Sequence, residues 1–197
     1  MESPVMKLKV PTSKMPNNIR TLQHISDHIE KNVKWSNRKS RVFIPYFGRV
    51  DKPEEFRSVE RHEYVTYGLS KECTVCDVQT SYQTHTELWR SFGEYKYVLS
   101  PRGAGHDCDR NYQILMMGAI PVIPFWTGAT AYSYANMSVI TIRQTSDINE
   151  KNIKLWDQIF HHGTERYKLT RSYMNKYAFD SSTILMPGWS YVEHTDK

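Results

Sequence analysis

The chain has 197 residues, of which 39% are hydrophobic and 24% are charged, so it is long enough to bury the core of one large domain. No stretch approaches the roughly 18 consecutive apolar residues of a membrane-spanning helix, and the first ten residues, MESPVMKLKV, lack the apolar segment of a signal peptide. The formal net charge of +5 suits an anionic small ligand or a nucleic acid and does not distinguish between them.

The N-terminal part of the chain is predicted to be an arm followed by a helix. Residues 1–17 contain three prolines and no hydrophobic periodicity, which indicates an extended arm. Between Asn18 and Asn32 the isoleucines and a leucine recur at steps of three and four residues, which is typical of an amphipathic helix. We therefore assign residues 1–37 to an N-terminal arm and helix that precede the main domain.

Predicted strands and helices alternate over most of the remaining chain. The predicted strands are 40–49, 73–78, 95–100, 119–125 and 138–143, and the predicted helices are 54–70, 85–92, 110–117 and 147–162. The fourth strand is apolar throughout, which indicates burial on both faces, and Gly118 ends the helix before it. Asp147 and Glu150 are spaced as a capping box for the last of these helices.

This alternation predicts an α/β fold, a doubly wound and mostly parallel Rossmann-like sheet over residues 38–165. Residues 166–197 are assigned to a C-terminal helix and tail.

The cysteines favour an ordinary structural role. There are three of them, an odd number and a low density for a disulfide-rich secreted scaffold. Cys73 and Cys76 form a lone C-x-x-C without a second pair downstream, so we interpret them as two half-buried strand residues rather than as zinc ligands.

The segment SPRGAGHDCDR, residues 100–110, has the composition of an anion-binding loop. It joins a predicted buried strand to a predicted helix, at the edge of an α/β sheet where helix N-termini present unpaired N–H groups. Gly103 and Gly105 let the backbone approach a phosphate, and Arg102 and Arg110 can supply charge-assisted hydrogen bonds to it. Asp107 is a candidate N-cap for the helix. The residues thus indicate a diphosphate site.

A metal-dependent interpretation of the same segment stays open. Asp107, Cys108 and Asp109 form a D-x-D triplet, which could hold a divalent cation against a nucleotide diphosphate. The triplet falls at a predicted helix start beside two arginines that can neutralise phosphate themselves. We therefore favour the interpretation without a metal or other cofactor.

The longer segment YKYVLSPRGAGHDCDRNYQILMMGAIPVI resembles the signature of exostosin-like glycosyltransferases, glycosyltransferase family 47. That signature reads as a strand, S-P-R-G-x-G-x-D-C-x-R, an aromatic residue, a glutamate, a helix and G-x-I-P-V-[IV]. RVFIPYFGRV and MSVITIRQTSDINEKNIKLW also resemble the family's first and closing strand regions, so the likeness covers about residues 38–165. A weaker similarity exists to the protein O-glucosyl- and O-xylosyltransferases.

The resemblance implies the nucleotide-sugar-binding half of a GT-B glycosyltransferase that is metal-independent and inverts the anomeric centre. It implies a UDP-sugar as the donor and a glycan or protein hydroxyl as the acceptor. The positions that it assigns to the donor diphosphate and nucleotide are Gly48, Arg49, Arg57, Ser100, Arg102, Gly103, Gly105, Asp109, Arg110 and Gln113.

Two of these positions depart from the family pattern. Gln113 stands where the family usually has a glutamate for the ribose hydroxyls, and Asp109 replaces a common histidine. A glutamine can still accept one hydroxyl hydrogen bond. No acidic residue is singled out as the general base that the acceptor hydroxyl needs, and in such enzymes the base commonly belongs to an acceptor domain. That domain would precede the present chain.

Two other classes of protein stay as alternatives. A nucleic-acid-binding module would need a basic stripe, which the sequence lacks, so we expect no nucleic-acid partner. Another Rossmann enzyme, such as a methyltransferase, would need a glycine-rich first turn and an acidic residue after the second strand, a role that Asp77 could fill. The compartment is left open: cytoplasmic for a complete chain, the secretory lumen for a trimmed membrane-anchored enzyme.

Overall fold

The computed structural model of the chain describes residues 18–47, 56–102, 108–125 and 137–164, without the side chains of residues 18–20 and 56–58. In these ranges the helices are α1 (Asn18–Asn32), α2 (Phe56–Leu69), α3 (His85–Glu94), α4 (Asp109–Met116) and α5 (Glu150–Ile159). The strands are β1 (Lys39–Ile44), β2 (Cys76–Val78), β3 (Tyr95–Leu99), β4 (Ile120–Pro124) and β5 (Ile140–Ile142). Trp35–Asn37 and Thr145–Asp147 are short 3-10 turns.

The five strands form one sheet in the order β2-β1-β3-β4-β5, and every pair of neighbours is parallel. The register places Val42 of β1 between Cys76 of β2 and Tyr97 of β3. The chain thus moves outward from β1 to β2 and then crosses back to β3 on the other side of β1. The strand order reverses between β1 and β3, and in open α/β sheets that point is where ligands bind.

Helices cover both faces of the sheet, which confirms the predicted doubly wound α/β fold. On one face, Ile44 of β1 packs in a buried cluster with Tyr64 of α2 and Trp156 of α5. On the other face, Phe43 of β1 packs in a second cluster with Phe92 of α3. This second cluster also contains Ile25 and Ile29 of α1 and Ile114 of α4. Neighbouring strand residues point to opposite faces, so β1 contributes to both cores.

Helix α1 has the predicted bounds and packs in the same layer as α3 and α4. The hydroxyl of Ser26 donates a hydrogen bond to the carbonyl of Met116 at 2.6 Å, which ties α1 to the end of α4. Gly93 of α3 lies against Ile29, and a Cβ there would be 2.5 Å from Ile29 Cδ1. No helix in the described ranges combines the length and apolarity needed to cross a membrane.

Gly118 ends α4 as predicted. Its φ of 73° lies in the left-handed region, where glycine is favoured. The amide of Gly118 donates to the carbonyl of Leu115 and the amide of Ala119 donates to that of Ile114, which is the Schellman pattern of helix termination. The chain then enters β4 directly.

The first two predicted strands are longer than the observed ones. β1 ends at Ile44, immediately before Pro45, which has no N–H to extend the ladder, and the predicted end at Gly48 lies outside the described residues. β2 begins only at Cys76, because Cys73 lies in the preceding turn, joined to Cys76 by a disulfide. The interpretation of both cysteines as strand residues is therefore wrong for Cys73. Each is largely buried, 7% exposed.

The predicted capping box of the last helix is also wrong. α5 begins at Glu150, and its N-cap is Asn149, whose side-chain oxygen accepts a hydrogen bond from the amide of Asn152 at 2.9 Å. Asp147 instead closes the preceding 3-10 turn, where its carboxylate accepts from the amides of Arg143 and Gln144. The predicted helix beyond residue 165 lies outside the described residues.

Candidate anion-binding site

The candidate site lies at the carboxyl ends of β1 and β3, the point where the strand order reverses. Three parts of the chain approach one another there: the segment after β1, the first half of α2, and the segment from Ser100 into α4. Because β1 and β3 are parallel neighbours, the segments that follow them emerge on the same edge of the sheet. This edge therefore receives residues that are far apart in the sequence.

Three arginines line this edge, and each is held by a different contact. Arg61 of α2 donates from Nη2 to the carbonyl of Arg102 at 2.9 Å, which links α2 to the segment after β3. Arg102 Nε lies 3.9 Å from Glu60 Oε2, and both side chains are mostly buried, at 17% and 13% exposed. The guanidinium of Arg110 lies over the ring of Phe47, with Cζ 5.3 Å from the ring centroid. We call Arg61, Arg102 and Arg110 the arginine cluster.

The arginine cluster brings like charges together in a partly desolvated setting. Burial lowers the pKa of Arg110, and the positive charge of Arg61 lowers it further, although Cys108 and Asp109 act in the opposite direction. Arginine stays protonated nonetheless, because its ordinary pKa is above 12. Burial also raises the pKa of Glu60, more than the attraction of Arg102 and Arg61 lowers it. Partly desolvated guanidiniums that lie close to one another favour an anion.

Several buried polar atoms at this edge lack a hydrogen-bond partner among the described residues. They include Arg61 Nε, Arg110 Nη1 and the hydroxyl oxygen of Ser100, whose residue is only 2% exposed. More than nine in ten buried polar groups in folded proteins are hydrogen-bonded. These atoms are therefore donors and acceptors that a ligand or residues 103–107 can satisfy.

The structure brings together three of the residues predicted from the sequence. Ser100, Arg102 and Arg110 lie on the segment that joins β3 to α4, at the carboxyl edge. Arg57 lies within α2, but its side chain is outside the described part of the structure. The remaining glycine and arginine positions of the prediction also lie outside the described residues, namely Gly48, Arg49, Gly103 and Gly105.

Gln113 and Asp109 make contacts within the protein. The side-chain oxygen of Gln113 accepts a hydrogen bond from the indole of Trp89 at 2.9 Å, and its side-chain nitrogen donates to Asp109 Oδ2 at 3.0 Å. Trp89 is buried, so Gln113 holds α4 against α3. Its single amide oxygen already has a donor, which leaves less capacity for a ribose hydroxyl.

The N-terminus of α4 differs from the prediction. The helix begins at Asp109, and its N-cap residue is Cys108, which makes no side-chain capping hydrogen bond. Asp107 is therefore not the N-cap; it precedes the cap and lies outside the described residues. Burial raises the pKa of the Cys108 thiol. In the first turn of α4, the amide of Asn111 donates to the carbonyl of Cys108 at 2.9 Å.

Sequence analysis missed Glu60 and Arg61. Both lie on α2, more than 40 residues before Arg110 in the chain, and nothing in the glycine-rich segment points to them. The available signal was an adjacent glutamate and arginine in the helix that follows the first strand. Glu60 and Arg61 can be assigned to the site only once the strand order shows that β1 and β3 are neighbours.

The metal-dependent interpretation is not decided by these residues. Within the described ranges, no group of three or more histidine, cysteine, aspartate or glutamate side chains is placed to hold a metal ion. One member of the D-x-D triplet, Asp107, lies outside those ranges. The carboxylate of the other, Asp109, accepts from Gln113 as described above.

Comparison with known proteins adds no family assignment. No protein-family model matches the chain, and no curated protein is significantly similar to it.

Proposed function

We propose that this chain is the nucleotide-sugar-binding domain of a glycosyltransferase, which transfers a sugar from a UDP-sugar to a hydroxyl acceptor with inversion. The observation that supports this most is the arginine cluster, assembled from α2, the segment after β3 and the first turn of α4 at the reversal point of the sheet. The same segment carries the S-P-R-G-x-G-x-D-C-x-R resemblance to exostosin-like glycosyltransferases. Geometry and sequence pattern thus favour the same ligand.

The proposed chemistry needs a binding site for the leaving group. The acceptor oxygen attacks the anomeric carbon, the bond from that carbon to the diphosphate oxygen breaks, and the hydroxyl proton passes to a general base. Negative charge grows on the diphosphate as the bond breaks. Preorganised guanidiniums and helix N–H groups stabilise that charge without a metal ion. In this proposal the acceptor and the base belong to a second, N-terminal domain of a GT-B enzyme.

The methyltransferase alternative is weakened by the place of Asp77. Asp77 lies inside β2 rather than after it, and its carboxylate accepts a hydrogen bond from Arg41 Nε at 2.8 Å. The acidic residue that holds a ribose in such enzymes stands at the end of the second strand and is available to the ligand. Asp77 already has a charged partner.

Calorimetry with nucleotides tests the proposed function. We expect UDP and UDP-sugars to bind in the micromolar to millimolar range, with GDP as the comparison ligand and each titration repeated with EDTA. Lack of binding of any nucleotide diphosphate at millimolar concentration would overturn the proposal. Binding that disappears with EDTA would replace it with the D-x-D, metal-dependent mechanism.

A further inference from the structure

Glu60 is the carboxylate that lies inside the arginine cluster. Its Oε2 is buried, has no hydrogen-bond partner among the described residues, and lies 3.9 Å from Arg102 Nε. That separation is longer than a hydrogen bond, so the two groups form a loose ion pair. A buried carboxylate oxygen usually accepts a hydrogen bond, and the Oε2 of Glu60, held only by a loose ion pair, contributes less to stabilising the charged form.

The groups around Glu60 come from three parts of the chain. Arg102 approaches from the segment after β3, while Arg61 and Glu63 are its neighbours on α2. Tyr64, also on α2, has a hydroxyl whose pKa is raised by burial and by Glu60, with Asp147 contributing from the turn before α5. Among the described residues, Arg102 and Arg61 therefore contribute most of the charge around Glu60, with a smaller contribution from the exposed Glu63, and a bound anion would add negative charge.

The geometry points to Glu60 as the internal counter-ion of the site, which an incoming phosphate displaces from Arg102 and which takes up a proton as the anion binds. Without a ligand, the carboxylate offsets part of the charge of the arginine cluster. When a phosphate takes over Arg102, Glu60 loses its partner and gains a like charge nearby, and both changes favour its neutral form. By linkage, the protein binds anions more tightly as the pH falls through the range where Glu60 titrates.

The inference rests on the proposed function only for the identity of the ligand, because any tetrahedral dianion can displace Glu60. Sulfate is therefore the primary probe, since it does not change its charge between pH 5 and pH 8. UDP is the second probe. The test compares the wild-type chain with Glu60→Gln, which removes the charge and keeps the shape, and with Glu63→Gln. Glu63 lies on the same helix and is exposed, so its variant controls for a simple change in net charge.

Binding is measured by the shift in thermal unfolding as sulfate is added, and by calorimetry, at pH 7.5 and pH 5.0. At pH 7.5 we expect Glu60→Gln to bind sulfate about tenfold more tightly than wild type. The sulfate affinity of Glu63→Gln should lie within about twofold of the wild-type affinity. At pH 5.0 we expect the difference in sulfate affinity between wild type and Glu60→Gln to be smaller, because burial raises the pKa of Glu60 and a larger fraction of the wild-type carboxyl is protonated than at pH 7.5. Equal sulfate affinities of wild type and Glu60→Gln at both pH values would overturn the inference.

The outcomes separate this inference from the proposed function. If sulfate binds as expected but no nucleotide diphosphate does, the counter-ion role stands and the proposed function fails. If UDP binds equally well to wild type and Glu60→Gln, the function stands and the counter-ion role fails. If Glu60→Gln does not fold, Glu60→Met is compared with wild type at the same two pH values, and equal sulfate affinities of those two proteins would overturn the counter-ion role.

Discussion

The two ends of the central strands β1 and β3 carry opposite kinds of charge cluster. At their amino ends, the carboxylate of Asp157 on α5 accepts hydrogen bonds from Ser40, Lys96 and Tyr97, the last two at 2.9 Å and 2.8 Å. At their carboxyl ends, Glu60 faces Arg102 and Arg61, Arg110 has Asp109 nearby, and several buried polar atoms lack partners among the described residues. The carboxylate of Asp157 thus has three hydrogen-bond donors, whereas Glu60 Oε2 has none among the described residues.

The difference shows in the two carboxylates. Burial acts to raise the pKa of Asp157, but hydrogen bonds from Ser40, Lys96 and Tyr97 outweigh it and hold that pKa below its ordinary value. Burial raises the pKa of Glu60, and its two arginine neighbours do not reverse the change. A satisfied network at one end of the sheet stabilises the fold. At the other end, the partly desolvated arginines favour a ligand that carries negative charge.

The largest effect is expected for Asp157→Ala. The substitution leaves three donors without their acceptor, among them Lys96, whose side chain is only 14% exposed. We expect the free energy of unfolding to fall by about 3 kcal/mol, as measured by urea denaturation. Lys154→Ala, an exposed position on the same helix, should change it by less than about 0.5 kcal/mol. Weaker UDP binding by folded Asp157→Ala would show that the two ends of the sheet are coupled.

The next largest effect is expected for Arg110→Met, at the opposite end. Methionine keeps the apolar contact with Phe47 but loses the charge. We expect nucleotide-diphosphate binding to weaken by about 2 kcal/mol, roughly 30-fold in Kd. The free energy of unfolding should change little, because the substitution removes a charge that is costly to bury. Calorimetry and urea denaturation measure the two quantities.

The matched control is Arg41→Met, which removes the same charge from the amino half of β1. Arg41 pairs with Asp77 and donates to the carbonyls of Thr74 and Cys76. This variant should lose stability and keep its affinity for UDP. The reverse pattern, with binding lost in Arg41→Met and kept in Arg110→Met, would contradict the division between the two ends.

A smaller effect is expected for Arg61→Met. Arg61 adds charge to the site and holds the segment after β3 through the carbonyl of Arg102. We expect nucleotide-diphosphate binding to weaken by about 1.5 kcal/mol, and Arg61→Lys to recover part of the loss, because lysine restores the charge but not the planar fork. Calorimetry at low and high salt measures this affinity. An unchanged affinity in Arg61→Met would show that α2 does not contribute to nucleotide-diphosphate binding.

The smallest expected effect is the pH dependence of the stability that Asp157 contributes. The pKa of Asp157 is lowered in the folded state, so its stabilising contribution is present above its unfolded-state pKa of about 4 and is lost as the pH falls through the lower folded-state value. We expect the difference in the free energy of unfolding between wild type and Asp157→Asn to shrink between pH 5 and pH 2.5. A difference that stays constant over this range would mean that Asp157 is not held by its donors.

Local patterns predicted the elements well where one physical signal dominated. The periodic isoleucines of α1 gave its bounds, and Gly118 ended α4, because a left-handed residue after a helix strongly favours glycine. The patterns failed where several residues could perform the same task. Asn149 rather than Asp147 caps α5, because both can accept an amide hydrogen bond and the preceding turn already engages Asp147.

The sequence by itself determined the buried parallel strands, their alternation with helices, and the segment that supplies Arg102 and Arg110, since apolar runs and glycine-rich turns act over short distances. Only the tertiary structure decided that β1 lies beside β3. That neighbourhood brings Glu60 and Arg61 to a segment about 40 residues further along the chain. Strand order depends on how all the helices and strands together bury their apolar faces. Local sequence patterns therefore do not predict it.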